Sequence, residues 1–299
     1  MPLAAAARKA SSRLYAYLDP ETALTTLLDG QIIYVDPADE GIAPSLIAYG
    51  YWEPWIEPVI RRLVGPGDRV LEVGANFGFY TIIMASQVGP GGHIDAFEAN
   101  PSVARLLRRT VVSNGCDGFV KLHEKIVADR NGVMTFATSR RWGGAGGILE
   151  NGRDFGDETC LSEVEAVRLD DAFAGQTFDF IRTDAEGSEV LILNGAMDIL
   201  ERSRSIKLCV EWSPGMMRGR GDVAALAHRL EAMQFKFWRI VNPTGLDPSP
   251  LTAAQAIELG HGDMLIARDL DIRRVMRPPR PSWKRPLHRV AWTLGFPSR

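Results

Sequence analysis

The chain has 299 residues, 45% of them hydrophobic and 24% charged, which suits a soluble globular protein with one large domain of about 220 residues plus extensions, or two small domains. No apolar run approaches the ~18 residues that span a bilayer, and Met1 to Leu18 lacks the uninterrupted apolar centre of a secretory signal, so a cytoplasmic protein is expected. The net charge of −3 hides an asymmetry: eight Lys or Arg and no acid lie between Ile272 and Arg299, leaving 26 basic against 37 acidic residues in the rest of the chain. Cys116, Cys160 and Cys209 are odd in number and lack a Cys-x-x-Cys pair, which argues against a disulfide framework and a zinc cluster. Cys209, inside an apolar run, reads as a core residue.

Residues 1–50 are expected to form an extension capping the main domain. Ala4 to Leu18 suggests a short helix with Arg8, Lys9 and Arg13 on its surface, and Asp29-Gly30 between two apolar runs suggests a hairpin turn. An amphipathic stretch from Trp55 to Leu63 then closes at Gly65-Pro66-Gly67. Alternation follows: strand Arg69–Val73, helix Phe79–Val88, strand His93–Phe97, helix Ser102–Asn114 and strand Val120–His123. The pattern breaks between Val133 and Val167 around the glycine-rich stretch Trp142 to Gly147, which reads as a mobile loop over the site. It resumes with strand Phe178–Thr183, helix Glu189–Leu193, strand Ile206–Glu211, helix Val223–Met233 and apolar strands Phe235–Val241 and Met264–Ala267. Such alternation predicts an α/β fold with a mostly parallel seven-stranded sheet covered by helices on both faces. Ligands in such sheets bind beyond the carboxyl ends of the strands, the edge that gathers Glu72, Glu98, Asp184 and Glu211.

The run from Val70 to Thr81 reads as strand, glycine-bearing loop and helix. A dinucleotide site would use G-x-G-x-x-G with the pyrophosphate at a helix N-terminus, whereas here Gly74-x-x-x-Gly78 follows the carboxylate of Glu72. That acid would repel a pyrophosphate and attract the sulfonium and ammonium of S-adenosylmethionine. Glu98, at the end of the next strand, can accept hydrogen bonds from both ribose hydroxyls. Four stretches, Glu72-Val73-Gly74-Ala75-Asn76-x-Gly78-x-Tyr80-Thr81, Phe97-Glu98-Ala99-Asn100-Pro101, Asp184-Ala185-Glu186-Gly187-Ser188-Glu189 and Val210-Glu211, together resemble the signatures of the FkbM-type S-adenosylmethionine-dependent methyltransferases. The resemblance covers roughly Tyr51 to Arg268. Glu72 stands where Asp is common in that family and Ala185 where Val is frequent. It implies a Rossmann-like class I methyltransferase fold over residues 51–268, and O-methylation of hydroxyls on sugars, glycoconjugates or natural products. It also implies a cofactor set of Glu72, Gly74, Ala75, Asn76, Gly78, Tyr80, Thr81, Glu98, Ala99 and Asn100. Glu53, in a stretch that leads into the family's cofactor domain, is expected near the cofactor ammonium or as a helix-start acid.

Methyl transfer to a hydroxyl aligns three atoms in line and must remove the hydroxyl proton, which calls for a base or a metal. Asp184, Glu186 and Glu211 are the candidate catalytic acids, Asp184 ranking first as base. Asp184 and Glu211 are also candidate ligands for a divalent cation such as Mg²⁺. Glu189 reads more simply as a first-turn acid, and Glu186 as an alternative helix-capping group. Trp142 and Trp212 are candidate acceptor contacts, and His261 a second candidate base beside the acceptor. A nucleic-acid methyltransferase is the main competing enzyme; it is disfavoured by the acidic body and by the absence of Asn-Pro-Pro-Tyr or a nucleophilic cysteine near Asp184. A non-catalytic cofactor-binding regulator docked on a membrane is the competing class. In the basic tail, residues 269–299, Trp283, Leu287, Val290 and Leu294 fall at helical spacing. Peripheral contact with anionic lipid and packing on the acidic domain are its two readings.

Overall fold

The computed structural model describes residues 13–139, 141, 146–149, 159–241, 245–247, 249–272 and 275. In chain order it begins with strands β1 (Tyr15–Asp19), β2 (Thr22–Thr26) and β3 (Ile32–Val35), followed by helices α1 (Ala43–Tyr49) and α2 (Glu57–Leu63). Alternation then runs through β4 (Arg69–Val73), α3 (Phe79–Val88), β5 (His93–Phe97), α4 (Pro101–Ser113) and β6 (Val120–His123). Strands β7 (Ile126–Ala128), β8 (Gly132–Ser139), β9 (Gly147–Ile148) and β10 (Thr159–Arg168) come next, then α5 (Leu169–Ala172), β11 (Phe180–Thr183), α6 (Glu189–Asn194) and α7 (Met197–Arg202). The described chain ends with β12 (Lys207–Trp212), α8 (Pro214–Met217), α9 (Val223–Ala232), β13 (Lys236–Val241), β14 (Gly245–Leu246), α10 (Ala253–Ile257) and β15 (Gly262–Ala267).

The main sheet has the order β14-β13-β15-β12-β11-β4-β5-β6. Strands β12, β11, β4, β5 and β6 pair in parallel, and β15 runs antiparallel between β12 and β13. Seven strands make the body of a Rossmann-like sheet with helices on both faces, and the two-residue β14 extends one edge. From β4 the chain proceeds outward through β5 and β6, then returns to place β11 on the other side of β4, so the strand order reverses between β4 and β11. Open α/β sheets bind ligands at such a reversal.

The alternating faces of the strands sort the core into two halves. Val70, Ile94, Phe180, Cys209 and Leu265 face the half that also holds α3, α4 and the N-terminal residues Ala23, Ile33, Val35 and Leu46. Leu71, Val73, Ile181, Leu208 and Val210 face the other half, with Phe136, Ile148, Val164 and α9. The irregular stretch after β6 is a second sheet, ordered β7-β10-β8-β9, whose inward residues pack into this second half. Gly147 belongs to its edge strand, and a Cβ on the adjoining Gly146 would lie 2.7 Å from the Phe136 ring. Residues 142–145 of the glycine-rich stretch lie outside the described residues.

Three expectations need correction. The helix expected over Ala4–Leu18 is not formed in its described part, because Tyr15–Asp19 is a strand paired antiparallel with β2; the other residues of that stretch, except Arg13 and Leu14, lie outside the described residues. The folded body runs past Arg268: Ile272 packs against the core and Val275 is buried, so a separate tail cannot begin at residue 269. Trp212, expected at the acceptor, is a core residue with no exposed surface, donating its indole N–H to the Ala256 carbonyl at 2.9 Å. The hairpin over Asp29-Gly30 does form, with Thr26 opposite Ile32 and Gly30 at φ 89°.

Candidate functional site

Gly74 leaves β4 at φ 80°, and a Cβ there would stand 1.8 Å from the backbone oxygen of Asp184. Glycine at this position lets the first loops after β4 and β11 touch, and the amide of Asp184 donates to the Val73 carbonyl at 3.0 Å. Gly78, at φ 95°, opens α3 where a Cβ would meet Leu107 of α4 at 2.6 Å. Between them Asn76 takes a left-handed φ of 52°, and its side-chain oxygen accepts from the Phe77 amide at 2.7 Å. The loop is therefore held by its own backbone and by the close approach at Gly74, which only a hydrogen atom permits.

Glu98 clamps this loop to the next one. One of its carboxylate oxygens accepts from the Asn76 amide at 2.8 Å and the other from the Asn100 amide at 2.8 Å. Asn100 in turn caps α4 by accepting from the Ser102 amide at 3.1 Å, and Ala99 lies between them, partly exposed. Burial pushes the Glu98 carboxyl up to about 7, against the amides that favour its charged form. Each carboxylate oxygen has two lone pairs, so the clamp keeps acceptor capacity for a ribose hydroxyl.

Glu72 has no exposed surface. Thr81 donates to one of its oxygens at 2.6 Å, while the other, Oε1, is buried with no hydrogen-bond donor among the described residues. Burial pushes this carboxyl up to about 7, with Arg182 and Thr81 opposing the rise. Thr81 and Tyr80 thus stand behind the loop: Tyr80 is itself buried and donates its hydroxyl to Glu53 at 3.1 Å. Glu53, at a left-handed φ of 42°, is held well above the usual carboxylate range by burial and then by Asp263 and Asp184.

The acids expected to do chemistry converge on the same edge. Asp184 is partly exposed and takes the Arg182 guanidinium at 2.7 Å. Glu186 has a left-handed φ of 54°, and its amide donates to Glu211 Oε2 at 3.2 Å. The preceding amide, Ala185, donates to Glu189 Oε1 at 2.6 Å. Glu189 therefore caps its own helix from inside, as a first-turn acid should. Burial and then Asp184, Glu189 and Glu186 push Glu211 up to about 11. The antiparallel register of β12 on β15 places Glu211 opposite Asp263, and exposed His261, just before β15, brings Nδ1 to 3.6 Å from Glu211 Oε1. Among the described residues no group of three or more His, Cys, Asp or Glu is arranged to hold a metal ion. Trp142 lies outside the described residues.

Arg182, Asp263 and Trp55 were not expected at this edge. Arg182 lies on β11 directly opposite Glu72 on β4, with its guanidinium 4.0 Å over the Tyr80 ring. Asp263 joins the acids and accepts from the Trp55 indole at 3.1 Å. Strand alternation carried the signal for Arg182: it shares a face with Phe180, so a charge stood at an inward position.

A model of the methyltransferase FkbM domain matches residues 72–239. The protein-L-isoaspartate O-methyltransferase of Methanopyrus kandleri is 39% identical over 57 residues, 19% of this chain and 25% of that protein. The enzyme of the same name from Ignicoccus hospitalis is 36% identical over 74 residues, 24% of this chain and 31% of that protein. The chain thus spans about a quarter to a third of the length of these relatives. The solved O-methyltransferase of Bacillus cereus in complex with SAH overlaps 75% of this chain and 84% of its own, at 15% identity and a TM-score of 0.41.

Proposed function

We infer the function from membership: the chain belongs to the FkbM methyltransferase domain family, and we read it as an S-adenosylmethionine-dependent O-methyltransferase acting on a hydroxyl of a sugar, glycoconjugate or natural product. The observation that supports this reading is the bay at the strand reversal, where Glu53, Glu72, Asp184 and Asp263 act on one buried guanidinium and Glu98 and Glu211 act on Asp184 beside it. Such a surplus of acid suits a cationic ligand and disfavours a pyrophosphate. The residues fit S-adenosylmethionine: Glu98 for the ribose, the Gly74 to Gly78 loop against the nucleoside, and Glu53 and Glu72 toward its positive charges. When bound, the cofactor supplies a methyl group on a sulfonium.

The acceptor then lies over Asp184, Glu211 and His261. Arg182 holds one oxygen of Asp184, which fixes the carboxylate so that it can take the hydroxyl proton as the new C–O bond forms. Glu211, whose carboxyl is raised by burial and by Asp184, Glu189 and Glu186, suits a hydrogen-bond donor to the acceptor better than a base. His261 is the exposed polar group beside it.

Calorimetry is expected to show binding of S-adenosylmethionine and its demethylated product but not of NAD. Glu98→Ala is expected to weaken both by ~1–3 kcal/mol through loss of a charge-assisted hydrogen bond. Labelled cofactor offered with sugars, glycolipids and polyketides should place label on an oxygen, and Asp184→Asn should lower turnover more than cofactor affinity. Transfer to RNA or to a protein carboxyl would replace this acceptor class, and binding without any transfer would favour a regulator.

The basic segment supports a peripheral reading as well. Six of the eight basic residues after Ile272 lie in 276–299, and each Lys or Arg near an anionic leaflet contributes about 1 kcal/mol. Deleting 276–299, which spares the buried Val275, should abolish sedimentation with anionic liposomes and leave cofactor affinity intact; equal sedimentation of both chains rejects membrane contact.

A further inference from the structure

Arg182 has almost no exposed side chain, yet it meets two of the acids, the glycine loop and Tyr80. It faces Glu72 across the β4–β11 pair at 3.9 Å and binds Asp184 at 2.7 Å. It also reaches the Gly74 carbonyl at 3.5 Å and lies over the Tyr80 ring at 4.0 Å. Burial lowers the pKa of this guanidinium, but Asp184, Tyr80, Glu72 and Glu53 more than restore it, so it stays charged. Packing alone does not require a cation here, because the same face of β11 carries Phe180 one step earlier.

We propose that Arg182 is a positioning residue acting as the resident counter-ion of the cofactor bay, and that its charge sets how strongly the bay distinguishes a sulfonium from a neutral thioether. The inference rests on the reading of the bay as an S-adenosylmethionine site. A buried positive charge among acids offsets part of their potential, and at close range in a poorly solvated site that offset is felt by a second cation. The cofactor and its demethylated product share the ammonium, the ribose and the base, and differ in the charge on sulfur. Their affinity ratio therefore reports the potential at the sulfur, whereas a fault in loop geometry weakens both alike.

The test is calorimetry of S-adenosylmethionine and S-adenosylhomocysteine on the full chain at pH 8, where the acids raised to about 7 are ionised. Arg182→Gln should raise the affinity ratio in favour of the sulfonium by about threefold or more, and Arg182→Lys should leave the ratio unchanged while weakening both ligands. Glu72→Gln should lower the ratio by a similar factor, and the double variant Glu72→Gln with Arg182→Gln should bring it back toward the wild-type value. The double variant keeps the test open if Arg182→Gln alone does not fold, since it removes the buried Glu72 charge together with Arg182 and leaves only the partly exposed Asp184 without that partner. Equal ratios in wild type, Glu72→Gln and the double variant would overturn the proposal and leave Arg182 a structural residue. A wild-type chain that binds neither ligand would instead overturn the cofactor reading itself.

Discussion

At the scale of single residues, two glycines with similar backbone angles separate conformational strain from steric collision. Gly30 has φ 89° and nothing within 4 Å of the place a Cβ would take, whereas Gly74 has φ 80° and the Asp184 oxygen at 1.8 Å from that place. Gly30→Ala should cost about 1–2 kcal/mol, the ordinary penalty of a left-handed alanine. Gly74→Ala should cost more than that, because β4 and β11 must also separate at their ends, and should weaken cofactor binding at least about tenfold. Urea unfolding and calorimetry on the two variants check both statements; equal destabilisation would mean that the loop contact is soft. Gly74, Gly78, Glu72 and Glu98 were legible in the sequence because each closes a strand or opens a helix at a recognisable step. Arg182 and Asp263 were not, because their roles depend on which strand lies alongside: Arg182 gains its meaning from Glu72, a residue far earlier in the chain that only the pairing of β11 with β4 brings opposite it.

At the scale of elements, the N-terminal hairpin shows how a strand edge is finished by a helix. Among the described residues the β3 edge has no further strand beside it, and α4 serves that edge with side chains. Thr110 Oγ1 accepts from the Tyr34 amide at 3.0 Å, Asn114 Oδ1 accepts from the Ile32 amide at 3.1 Å, and Asn114 Nδ2 donates to the Ile32 carbonyl at 2.7 Å. Asn114→Ala should therefore destabilise the fold by ~1–3 kcal/mol, since it strips partners from two backbone groups at once. A shift in the urea midpoint within error of zero would show that water replaces the amide. The sequence placed the end of this helix within a residue, at Asn114, but nothing local could show that the cap also mates with a strand. The expected helix up to Leu18 failed for a related reason: Leu14, Tyr17 and Leu18 fall at helical steps, yet pairing with β2 decides the structure of Tyr15–Asp19, an override of local pattern by partners.

At the scale of the whole molecule, the fold concentrates acids whose charges it keeps apart only at a cost in stability. Burial pushes Glu72, Glu98 and Glu189 up to about 7 and Asp263 up to about 6. An unfolded chain titrates the same groups near their ordinary values, about 4, so between that range and pH 7 the native state holds more protons than the unfolded state. Stability must then fall as pH rises through this window, being greatest below the unfolded values and lost as each folded value is passed. Glu211, pushed up to about 11, extends the decline into alkaline solution. Thermal unfolding of the ligand-free chain should therefore show a lower Tm at pH 8 than at pH 5.5. A cation bound in the bay reverses the penalty, because it favours the ionised acids, so S-adenosylmethionine at fixed excess over its Kd at pH 8 should raise Tm more at pH 8 than at pH 5.5. A ligand-free Tm that rises with pH across this interval, or a ligand-induced shift that is larger in acid, would show that the bay's acids are ionised at no cost and that its charge is balanced without the cofactor.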